Sequence, residues 1–106
     1  MKQRAKPVSA REAETDLDAL SRVLAALEKS AEVRAFLEDL CTPAELEAMC
    51  DRWKVVPWLL KRVPYSEIHK RTLVSITTIG RVARTLAHGS GGYDAALRRH
   101  SRRRIV

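Results

Sequence analysis

Chain breakers, aromatics and cysteines are all few in this chain, with 4 glycines, 4 prolines, 2 cysteines and 5% aromatic residues. With 45% apolar residues and so few breakers, the composition excludes a disordered tail. The shortage of aromatics argues against an exposed stacking platform of the kind that binds single-stranded RNA. No apolar run approaches the roughly 20 residues that cross a bilayer. The start, Met1-Lys2-Gln3-Arg4, leads into alanine, proline and charge rather than a secretion core, so a cytoplasmic protein away from membranes is expected. Cys41 and Cys50 have no second pair or histidine at metal-ligand spacing, which predicts buried reduced thiols rather than zinc. His69, His88 and His100 are scattered with no carboxylate or cysteine at ligand spacing, and no activated nucleophile is visible. Neither an enzyme nor a cofactor is expected.

Acidic residues are also missing from one part of the chain. Residues 1–63 hold 11 basic and 11 acidic side chains, whereas residues 64–106 hold 9 basic and 2 acidic, so the net charge of +7 sits in the C-terminal part. A balanced scaffold followed by a basic segment is the footprint of a region that faces a polyanion; the plainer alternative is solubility. With 106 residues the expected count is one domain, residues 1–106. A chain this short buries only about two-thirds of its unfolded surface, so a small core must suffice or a partner subunit must complete it.

Apolar residues recur at three and four along the chain, which predicts helices throughout. A capping box, Ser9-Ala10-Arg11-Glu12, opens a helix over about 10–28 with Leu17, Leu20, Leu24 and Leu27 on one stripe. Ser30 is expected to cap a second helix carrying Val33, Phe36, Leu37 and Leu40. Thr42-Pro43-Ala44-Glu45 starts a central helix that is apolar most of the way round from Leu46 to Leu60, hence buried on several sides. Within it Pro57 predicts a kink near Trp53 to Pro57. Trp53 and Trp58, five apart, face different directions and read as core or subunit-seam residues. Val63-Pro64 breaks the helix, His88-Gly89-Ser90-Gly91-Gly92 reads as a flexible hinge, and a short last helix anchored by Tyr93, Ala96 and Leu97 precedes the arginine-rich end.

Tyr65 to Val82 has the length and spacing of a helix-turn-helix. Ile68 and Thr72 point inward, a turn surrounds Leu73-Val74-Ser75, and Ser75 caps a second helix with Ile79, Val82, Ala83 and Leu86 inside. The outward residues of that second helix are Ile76, Thr77, Gly80 and Arg81, with Arg84 one turn on. Arg81 can grip guanine or phosphate, Thr77 can bond either, and Ile76 can pack on a thymine methyl. Ser75 and Thr78 cap or hold phosphate, while Lys70, Arg71 and Arg84 are candidate phosphate contacts.

Phe36-Leu37-Glu38-Asp39-Leu40-Cys41-Thr42-Pro43, Asp51-Arg52-Trp53, Thr78-Ile79-Gly80-Arg81-Val82-Ala83-Arg84 and Gly91-Gly92-Tyr93-Asp94 together resemble the Trp repressor superfamily, in its YerC/YecD-type branch. The resemblance spans about residues 20–97. It implies an all-α fold: an intertwined helical homodimer with a helix-turn-helix head in each chain, reading two half-sites about one helical turn apart on double-stranded DNA. Residues 10–62 would then be the dimerisation and central helices, 64–88 the helix-turn-helix, and 93–106 the C-terminal helix and basic tail. Two positions depart from the pattern. Leu73 stands where relatives usually have glycine, so the turn must avoid positive φ or bear strain, and Pro57 stands where they carry a helix former.

In tryptophan-responsive members the amino acid lies between two arginines beside a threonine, and Thr42, Arg52 and Arg81 match those positions. The glycine that follows the second arginine there is Val82 here, whose branched side chain occupies room the ligand needs. Tryptophan, or another small-molecule effector, is therefore not expected. The primary expectation is a sequence-specific transcription regulator of double-stranded DNA. A rival is a helical dimeric interaction module whose basic end docks an acidic protein and whose head, with Leu73 in its turn, has lost specific DNA recognition. The run Arg98-Arg99-His100-Ser101-Arg102-Arg103-Arg104 is either a frayed tail or an arm along the phosphate backbone.

Overall fold

The computed structural model describes the backbone of residues 6–105 and the side chains of residues 6–101. The segment Met1-Lys2-Gln3-Arg4 and the side chains of Arg102, Arg103 and Arg104 lie outside the described residues. Among the described residues there are six α-helices and no strand: α1 Ala10–Ala26, α2 Ser30–Leu40, α3 Pro43–Leu60, α4 Tyr65–Thr72, α5 Ile76–His88 and α6 Gly92–Ile105. They group into two compact units that divide after Pro43.

The N-terminal unit holds α1 and α2. Ser9 is extended and its hydroxyl accepts from the Glu12 N–H at 3.1 Å while donating to the Glu12 carboxylate at 3.0 Å, so the predicted cap forms. The start of α2 differs from expectation: Lys29 is the cap residue, with no side-chain bond, and Ser30 is already helical. Neither helix buries a residue. Leu17, Val23 and Leu40 are exposed and Leu20, Leu24, Phe36 and Leu37 only half-buried, although their spacing makes apolar stripes.

The C-terminal unit has a core. Val55 and Val56 of α3, Ile68 of α4, Val74 of the turn, and Ile79 and Val82 of α5 are buried together, with Trp58, Leu59, Val63, Leu86, Tyr93 and Leu97 packed around them. Only Val55 and Val56 of α3 are buried, and Met49, Trp53 and Leu60 are exposed, so the expected burial of this helix on several sides holds for one stretch alone. The helix passes through Pro57 without a break and ends at Leu60, before Val63-Pro64. There Arg62 turns left-handed at φ 59°, its N–H bonds the Leu59 carbonyl at 3.0 Å, and the Val63 N–H reaches the Trp58 carbonyl at 3.2 Å. This pair of bonds satisfies carbonyls that the helix end leaves open.

Further sequence expectations meet the structure at the thiols, the glycine segment and the last helix. Cys41 is half-buried and Cys50 exposed, because one closes a helix in the unit without a buried residue and the other lies off the covered part of α3. The glycine segment breaks the chain between α5 and α6. A Cβ on Gly89 would fall 2.5 Å from the Thr85 carbonyl oxygen, and Gly91 has φ +84°, so two of its positions require glycine. The last helix is also longer than expected, running 14 residues into the arginine-rich end, with Arg98 and Arg99 exposed.

Candidate nucleic-acid interface

Helices α4 and α5 pack on each other through Ile68, Ile79 and Val82, all buried. The turn between them is held by three sets of bonds. The Leu73 N–H donates to the His69 carbonyl at 2.8 Å, closing α4. The Thr72 hydroxyl donates to the Ile68 carbonyl at 2.7 Å and accepts from the Val74 N–H at 3.2 Å. His69 Nδ1 lies 2.7 Å from the Val74 carbonyl oxygen, and since a carbonyl only accepts, the proton resides on Nδ1. Val74 is thereby drawn into the core, 3% exposed. This lock explains how Leu73 comes to occupy φ 63°, ψ 10°, the left-handed region, at a cost of about 1–2 kcal/mol for a residue with a Cβ. Of the two outcomes open to the turn, it bears the strain.

Ser75 is extended and caps α5, accepting from the Thr78 N–H at 3.1 Å and donating to the Thr78 hydroxyl oxygen at 3.0 Å. Both hydroxyls are thus engaged with the helix start. The residues named from sequence as outward on α5 are outward: Ile76, Thr77, Arg81 and Arg84 are exposed. Gly80 is half-buried; a Cβ there would meet the Arg84 guanidinium at 3.4 Å and the Tyr65 ring at 3.8 Å. The Arg84 head therefore lies back along α5, with Tyr65 of α4 approaching the same spot.

Lys70 is exposed on α4. Arg71 is exposed but engaged: its Nε donates to Glu67 at 3.0 Å and its guanidinium carbon lies 5.5 Å from the Trp58 ring centroid. Among the described residues, Lys70, Arg81 and Arg84 make no ion pair. No acidic residue stands between Glu67 and Asp94, so the outward face of α5 carries cations without compensation from its own segment. Trp53 stacks on Tyr93 of α6, with ring centroids 6.4 Å apart and planes 12° from parallel, so each tryptophan has its own structural neighbour.

Sequence reasoning missed His69 and Tyr65 at this head. The His69 contact crosses the turn and depends on the left-handed residue between its partners, which no spacing rule announces.

The family model described as the Trp repressor protein matches residues 15–101. The chain belongs to the Trp repressor family. That family comprises DNA-binding regulators rather than enzymes. The chain is also 34% identical over 84 residues to the uncharacterized protein YerC of Bacillus subtilis (strain 168), covering 79% of this chain and 81% of that protein. The likeness agrees with the YerC-type branch of the Trp repressor family.

Three residues are expected from the resemblance to correspond to a tryptophan site. Thr42 is exposed and immediately precedes α3, Arg52 is half-buried on α3, and Arg81 is exposed on α5. Val82, at the position of the family glycine, is 1% exposed and part of the hydrophobic core. Among the described residues no group of histidine, cysteine and carboxylate side chains could hold a metal ion, and no helix is long and apolar enough to cross a membrane.

Proposed function

We propose that this protein is a cytoplasmic, sequence-specific double-stranded DNA-binding transcription regulator that acts as a homodimer, inserting α5 of each head into the major groove. The observation that carries this reading is the outward N-terminal part of α5. Ile76, Thr77 and Arg81 are exposed on a helix whose other face is locked into the core, in a segment free of carboxylates. Arg81 and Thr77 read base edges, and Ile76 packs on thymine methyls. Lys70 and Arg84 neutralise phosphates, joined by Arg71 once it leaves Glu67, and Ser75 and Thr78 orient the helix start toward the backbone. Exposed Arg98 and Arg99 continue the basic surface along α6.

Support for the homodimer comes from α1 and α2, whose apolar stripes bury no residue within one chain. A second copy supplies apolar stripes of the same kind. Residues 10–62 then hold the N-terminal dimerisation helices and the central helix, residues 64–88 the helix-turn-helix, and residues 93–106 the C-terminal helix and basic tail. Val82 fills the core where tryptophan-responsive members have glycine, so L-tryptophan leaves DNA binding unchanged and the regulator works without that effector.

Binding of the full chain to random duplex, single-stranded DNA and RNA at two salt concentrations, alongside sedimentation analysis, tests this reading. It requires a dimer that prefers duplex and loses affinity steeply with salt. A preference for RNA, or for an acidic protein with no duplex binding, contradicts it. The second outcome would favour the interaction-module reading, for which the exposed Leu73 is the supporting feature. Deletion of residues 98–106 should weaken specific and nonspecific duplex binding alike and flatten the salt slope; unchanged affinity and slope would remove the arm from the account.

A further inference from the structure

Leu73 contributes nothing visible to the stability of the head. It stands at φ 63°, a conformation that glycine or asparagine adopts with less strain, and its side chain is 82% exposed. The turn is held by the Leu73 backbone N–H and by the side chains of His69 and Thr72, none of which needs a leucine between them. Three residues on, Ile76 opens α5 with 47% of its surface in water. Two apolar side chains, one in the turn and one at the first residue of α5, are thus left in water.

The setting of this pair selects its partner. Lys70 precedes it and Arg81 and Arg84 follow, all exposed, with no carboxylate between Glu67 and Asp94. Isolated apolar side chains in a cationic surround suit a ligand that is anionic overall yet presents isolated apolar groups. In the major groove of duplex DNA that group is the thymine methyl. A purely apolar surface would gain nothing from the cations and a purely acidic one nothing from the leucine, whereas a thymine-bearing groove uses both.

Resting on the DNA-binding reading above, we propose that Leu73 is a further specificity-determining residue, whose side chain packs together with Ile76 against thymine methyl groups in each half-site. The strain at this position is then retained for recognition rather than for folding.

The test uses the full chain, the best duplex from a selection on random DNA, and the same duplex with uracil in place of thymine, with affinities read by fluorescence anisotropy. For the unmodified protein each contacted methyl removed should weaken binding about fourfold, the equivalent of one buried carbon group. Leu73→Gly and Leu73→Asn should bind the thymine duplex about tenfold more weakly and discriminate less between thymine and uracil. Both variants should melt at or above the temperature of the unmodified protein. Variants with unchanged affinity, or with the full thymine preference, overturn the assignment while leaving the DNA-binding reading intact. Variants that melt lower overturn it too, because Leu73 would then serve the fold. Failure of the unmodified protein to bind any duplex overturns the DNA-binding reading and this assignment with it.

Discussion

The two units of this chain contrast in what they bury. From Ala44 onward, six apolar residues are closed into one core and the helices around them are fixed by caps and turn bonds. Up to Pro43, two well-patterned helices, 17 and 11 residues long, bury none. The apolar stripes of α1 and α2 are as evident as those of α4 and α5, so periodicity marks the face that must be covered without saying that the same chain covers it. A short helix with an open apolar face draws its stability from packing, and the missing packing is what a second copy would provide.

The largest expected effect lies in the covered unit. Ile79→Ala removes a fully buried side chain and should cost about 2–5 kcal/mol in a denaturant titration; a loss below about 1 kcal/mol would mean that this core does not carry the fold. Leu17→Asp probes the open unit. If a second copy covers this residue, the substitution should weaken self-association by about 1.5–3 kcal/mol, read by sedimentation across concentrations. An unchanged oligomeric state would leave the contrast between the units without its explanation.

Arg81→Ala separates reading from folding within the covered unit. It should cost about 1–3 kcal/mol in affinity for the selected duplex and relax the sequence preference, with stability unchanged. A uniform loss across all sequences reassigns Arg81 to phosphate. The smallest effect belongs to Arg71→Ala, which loses the Trp58 and Glu67 contacts and should lower stability by about 0.5–1 kcal/mol. A drop in duplex affinity larger than this drop in stability would show that Arg71 leaves its structural partners to bind DNA.

Much of the α4–turn–α5 head was legible in the residues. Val63-Pro64, the Ile68 and Thr72 spacing and the Ser75 cap locate α4, the turn and α5, because each is a local rule acting on a short segment. What stayed hidden depends on contacts distant in sequence or on backbone angles. The left-handed Leu73 follows from the His69 and Thr72 bonds that draw Val74 into the core, and the alternative of a strain-free turn was equally open from sequence. Arg71 reads as a free cation until Trp58, thirteen positions earlier, is found beneath it. The extent of α6 was underestimated because a basic run favours neither a helix nor a tail by composition. The thiols were expected inside on the general habit of cysteine, which fails where the local helix has no cover.

The proposed function requires two copies of this head to read one duplex. Selection from a randomised duplex library with the full-length protein, followed by sequencing, tests it most directly. A dimer with two such heads should enrich a roughly palindromic site whose half-sites lie about 10 base pairs apart, centre to centre. Recovery of sequences with no enrichment, or of a single unpaired half-site, would contradict it.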